Sequence, residues 1–84
     1  MIDWHIRAFR EDTEELAWEL LLVGLEREDL EKELNISLPT PDSYSIMVEQ
    51  VVAAVQASSS NVSPNDLDLN ADRFSFFLAA TKRD

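Results

Sequence analysis

The chain has 84 residues, no cysteine, and 17 acidic against 7 basic side chains, a formal net charge of −10. A chain of this length buries one modest core, so a single domain spanning 1–84 with a stability of about 5 kcal/mol is expected. The absence of thiols excludes a disulfide framework and thiolate chemistry. The charge argues against nucleic acid and anionic membrane as ligands, because too few cations are present to neutralise phosphates in number.

Residues 2–10, IDWHIRAFR, alternate with period two. Ile2, Trp4, Ile6 and Ala8 fall on one face, and Asp3, His5, Arg7 and Phe9 on the other. That spacing predicts a half-buried strand. After a polar turn, EDTEE, the run LAWELLLVG reads two ways. Its Leu, Ala and Glu are good helix formers. A helix, however, would leave Leu21 to Val23 wrapped around all its sides, whereas a strand places Leu16, Trp18, Leu20 and Leu22 on one face. A strand ending at Gly24, paired in a hairpin with residues 2–10, is the reading adopted.

From Leu25 the pattern becomes helical. LEREDLEKELN puts Leu30 and Leu34 four apart and Glu28 four before Lys32, a favourable orientation for an ion pair. The apolar stripe is narrow, so this helix is expected to rest lightly on the core. SLPTPDS carries two prolines and reads as a loop. Ile46 to Ala57 then gives a helical stripe of Val48, Val51, Val52 and Val55, with Ser45 as its expected N-cap. A loop, SSSNVSPND, follows.

LDLNADRFSFFLAATK ends the ordered pattern. Phe74, Phe76, Leu78 and Ala80 alternate with Ser75, Phe77, Ala79 and Thr81, which predicts a strand, central in the sheet, before a polar tail of Lys82, Arg83 and Asp84. The order β-β-α-α-β makes an α+β fold, with two helices on one face of a three-stranded, mostly antiparallel sheet. Its expected core is Trp4, Ile6, Leu16, Trp18, Leu20, Val51, Val55, Phe74, Phe76 and Leu78. Phe9, Leu21, Val23, Phe77 and Ala79 are left on the other face with nothing to cover them, and such a face on a small chain marks a contact surface.

Signatures of chemistry are missing. His5 is the only histidine and cannot build a typical zinc site alone. Asp66, Asp68, Asn70 and Asp72 alternate like calcium ligands, but the glycine and the closing glutamate of such a loop are absent. One glycine in the chain rules out a glycine-rich phosphate loop. The expectation is therefore a protein that is not an enzyme and uses no metal or cofactor. The N-terminus has no basic region followed by an apolar run, and the longest apolar run is four residues against the roughly 20 that span a bilayer. A cytoplasmic protein is expected.

What the sequence does carry is concentrated charge. Between Glu11 and Leu34, ten carboxylates face only Arg27 and Lys32, so this stretch holds −8 of the chain's −10. Glu11, Asp12, Glu14 and Glu15 lie on the turn, and Glu26, Glu28, Asp29, Glu31 and Glu33 on the first helix. Rows of carboxylates at this density fit the basic cleft of a nucleic-acid-handling protein and steer its approach.

Small size, acidity, lack of cysteine and an α+β plan together resemble the small immunity proteins of bacterial toxin systems, of bacteriocin and contact-dependent growth inhibition types. The hairpin phrase IRAFREDTEELAWE from Ile6 to Glu19, the Asp42–Tyr44 loop and the Glu49–Gln50 helix look like small bacterial proteins found in such settings. The resemblance implies neutralisation of a cognate toxin, often a nuclease, by one-to-one binding over or beside its active site. Its carboxylates would meet the Lys and Arg that otherwise hold phosphate. The alternative is a regulatory or scaffolding module that acts through the apolar sheet face around Leu21, Val23 and Phe77, as a homodimer.

Overall fold

The structure, a computed structural model, describes residues 2–39, 43–59 and 61–82. Its elements run β1 (Ile2–Arg10), β2 (Leu16–Leu21), α1 (Arg27–Leu34), β3 (Ser43–Ile46), α2 (Val48–Ala57) and β4 (Phe74–Lys82), with one 3-10 turn at Pro64–Asp66. The four strands form one antiparallel sheet in the order β2-β1-β4-β3. The α+β class and the two helices agree with the sequence reading; the sheet has four strands, not three.

The added strand is β3, from a segment read as loop and helix start. Its four residues are few, but they alternate: Tyr44 and Ile46 turn inward while Ser43 and Ser45 are exposed. Tyr44 therefore belongs to a strand, whereas Thr40, Pro41 and Asp42 of the expected loop lie outside the described residues. Helix α2 begins at Val48 instead of Ile46. Met47, not Ser45, stands at its N-cap and donates its N–H to Gln50 Oε1 at 2.8 Å.

Period two in β1 sets the core. Trp4, Ile6 and Ala8 are buried, and the register brings Ile6 opposite Leu78 and Ala8 opposite Phe76 on β4. Both helices bury onto this same face through Leu30, Leu34, Val51, Ala54 and Val55. Each such aliphatic side chain contributes about 1.5–3 kcal/mol on burial. Helix α1 does not rest lightly, as its narrow stripe suggested: Leu30 is wholly buried. Gln50 Nε2 on α2 donates to the Leu34 carbonyl at 3.2 Å and ties the two helices together. Leu38, read as part of a loop, is also fully buried.

The pairing of β1 with β2 shifts between Ala8 and Phe9. Ala8 faces Trp18, yet Phe9 faces Leu16, so Ala17 is an extra residue on β2. A bulge of this kind turns the following side chain onto the other face. Leu16 accordingly leaves the expected core and lies 51% exposed beside Phe9. Trp18, Leu20 and Phe74 are only partly buried against the core.

Gly24 ends the β2 segment with φ +82, a left-handed conformation that glycine adopts without a steric cost. A Cβ there would come 3.1 Å from Ser59 Oγ. The Ser59 N–H donates to the Val23 carbonyl at 2.8 Å, which joins the end of α2 to this corner. The segment between α2 and β4 packs on the core side, where Leu67 and Leu69 meet the cluster and Trp18 Nε1 donates to the Asp68 carbonyl at 3.2 Å. It does not fold over the outer face. Lys82 ends β4, while Arg83 and Asp84 of the expected tail lie outside the described residues.

Candidate functional site: two acidic groups and an open sheet face

The acidic stretch divides in space. Glu11, Asp12, Glu14 and Glu15 sit on the turn between β1 and β2, whereas α1 starts beyond the opposite end of β2. Six strand residues, about 20 Å, separate the two groups. They do not form one continuous row.

On α1, several carboxylates serve the helix itself. Asp29 Oδ2 accepts the Glu26 N–H at 3.0 Å, which satisfies a free donor of the first turn. Glu31 Oε2 accepts the N–H of the buried Leu38 at 3.0 Å, and its other oxygen lies 3.7 Å from Arg27 Nε. The ion pair on this helix is thus Arg27 with Glu31, not Glu28 with Lys32. Glu28 and Glu33 project into solvent.

At the turn the carboxylates are held differently. All four residues are exposed. Glu14 has φ 60, in the left-handed region where a side chain with a Cβ is unusual. Its N–H donates to the Arg10 carbonyl, and the Arg10 N–H to the Glu15 carbonyl, both at 2.8 Å. Arg10 forms a two-point pair with Asp12, at 3.2 and 3.0 Å, and this hydrogen bond holds the Asp12 carboxyl below the ordinary carboxylate value. Ser75 Oγ donates to Glu11 Oε1 at 2.8 Å.

A shallow groove opens beside the turn, lined by Arg10, Glu11, Asp12, Glu15, Asp72 and Arg73, with Leu16 and Phe74 in its wall. The sequence places Asp72 in the calcium-like alternation at the entry to β4, not among the carboxylates of the turn. It reaches the turn because the Glu11 N–H donates to the Arg73 carbonyl at 2.9 Å, a pairing that no sequence spacing announces. The calcium-like alternation before β4 serves the backbone instead. Asp66 Oδ2 accepts the Ser63 N–H, Asp68 Oδ1 the Asn70 N–H, and Asn70 Oδ1 the Asp72 N–H. The first caps the 3-10 turn, and the other two are Asx turns that shape the loop. Among the described residues, no three His, Asp or Glu side chains are grouped as metal ligands would be.

Among the described residues, no helix covers the outer face of the sheet. Phe9 and Phe77 lie on it in edge-to-face contact, with ring centroids 5.6 Å apart. They are not part of a wholly apolar surface, because Asp3, His5, Arg7, Ser75 and Thr81 share the strands with them. Arg7 pairs with Glu19 across β1 and β2. His5 Nε2 lies 2.7 Å from Thr81 Oγ1, while its Nδ1 is buried without a partner. Leu21 and Val23 are exposed as expected; Ala79 is buried between its neighbours.

No described helix is long and apolar enough to cross a membrane. Comparison of the chain with protein-family models, curated proteins and solved structures finds no match in any of the three.

Proposed function

We propose that this domain works by binding alone, as an immunity protein that neutralises a cognate toxin with a basic surface, a nuclease in the first place. It acts in the cytoplasm as one half of a heterodimer, uses no cofactor, and covers the toxin's active site or substrate cleft with carboxylates. The supporting observation is the charge. A chain of 84 residues carries −10, and eight of its exposed carboxylates gather at two places on the outside of the fold. Such a surface draws a basic partner quickly and repels nucleic acid, the partner's own substrate.

The test is a pull-down from the source lysate at low and high salt. The baits are the wild-type chain and a chain with Glu11, Glu15, Glu28 and Glu33 changed to Lys. Asp29 and Glu31 are spared because they hold the helix together. One stoichiometric basic partner, released by salt and missing from the reversed bait, is the expected result. A partner that stays on the reversed bait, or none on either, refutes the reading.

A further inference from the structure

We propose that the contact made by the basic partner centres on the corner where the hairpin turn meets the open sheet face, and that the Phe9–Phe77 ring pair together with Glu11 and Glu14 receives an arginine or lysine side chain. This deepens the immunity reading and rests on it.

Four observations converge on that corner. A shallow cleft there is lined by Phe9, Arg10, Glu11, Glu14, Ser75 and Phe77. Its apolar part is the partly buried ring pair, which no described helix or strand covers, and an aromatic surface attracts a cation over the ring faces. Glu11 is already aimed at the cleft. The Ser75 hydroxyl holds its Oε1 at 2.8 Å, so the carboxylate is fixed before any partner arrives and little side-chain freedom is lost on binding. Arg10, the cation that lines this cleft, is paired with Asp12, Arg7 is paired with Glu19, and Arg73 lines the groove beside the turn instead. The uncompensated charge at the corner therefore comes from Glu11 and Glu14.

The same reasoning argues against α1 as the centre. Its Asp29 and Glu31 are engaged in its own structure, and the exposed Glu28 and Glu33 stand on a helix that itself carries no aromatic residue. Desolvated aromatic anchors flanked by oriented charges are where binding energy concentrates, whereas lone rim carboxylates mainly influence the rate of approach. A second copy of this chain is a poorer occupant, because it would bring Glu11 and Glu14 against an equally acidic surface.

The probes are hexa-arginine and hexalysine peptides, titrated into the full chain with amide NMR shifts as the readout. We expect shifts at Phe9, Glu11, Glu14, Ser75 and Phe77. Glu14→Gln and Phe77→Leu should each weaken the arginine peptide about threefold to tenfold, while Glu28→Gln changes affinity less than twofold. Phe77→Leu keeps an apolar side chain; should it fail to fold by circular dichroism, Phe9→Leu replaces it and reads the same ring pair. Shifts confined to α1, or affinities unmoved by both Glu14→Gln and the ring variant, overturn this site while leaving an acidic docking surface intact. Absence of shifts anywhere with either peptide overturns both this site and the reading it rests on.

Discussion

Helix α1 and the β1–β2 turn carry similar acidic charge, yet they hold it for different ends. On α1 the carboxylates are built into the fold. Asp29 caps the first turn, Glu31 accepts a buried backbone N–H, and the helix sits on two buried leucines. At the turn no side chain is buried, and the arrangement even accepts a glutamate with positive φ. Equal charge density is thus no guide to equal availability. What separates the two groups is which donors their oxygens satisfy: backbone N–H groups on α1, side chains at the turn.

The largest test of that contrast is Leu30→Ala. It removes a fully buried side chain and is expected to cost about 2–5 kcal/mol, much of the stability of so small a domain, in urea unfolding. Truncation of any turn residue should cost far less. Next comes Glu31→Ala, which strips the Leu38 N–H of its acceptor and is expected to destabilise by about 1–3 kcal/mol, against less than about 0.5 kcal/mol for Glu28→Ala one turn away. Equal effects at 28 and 31 would erase the distinction drawn on this helix. At the turn the sign should reverse. Glu14→Asn places a residue that tolerates positive φ and should raise stability by about 0.5 kcal/mol, while removing a carboxylate from the proposed contact.

The smallest effect concerns Asp12. Its carboxyl is held below the ordinary aspartate value by the Arg10 hydrogen bond, so the stabilisation it lends is present above that ordinary value and lost as pH falls through the lower folded one. An NMR titration should show this depression in the native chain and its disappearance in Arg10→Ala. With both side chains exposed, the accompanying change in unfolding free energy should be small.

Period two and period 3.6 made β1, β4 and the stripe of α2 legible in the sequence, and alternation correctly favoured a strand over a helix for β2. Two features escaped. Strand β3 has four residues beside a helix, and its serines read as loop at Ser43 and as an N-cap at Ser45. The displacement of Leu16 follows from a bulge, which adds one residue without leaving a mark in the composition. At the candidate site the charges were plain, but their division was not. It depends on β2 standing between the two acidic groups, and on hydrogen bonds, such as Ser75 to Glu11, between residues 64 positions apart.

The innermost pair of the sheet has a further consequence. Strands β1 and β4 are matched along their whole lengths, from Ile2 with Lys82 to Arg10 with Phe74. Strand β1 therefore finds its main neighbour only once β4, far along the chain, has been made. Until then the β1–β2 hairpin has a bare edge, and a two-stranded ribbon is barely stable in water. Bringing such distant strands together costs roughly 2 kcal/mol more in chain entropy than closing the five-residue turn. Folding should accordingly be a single late event, slow for so short a chain, in which the acidic turn is fixed only as the sheet completes.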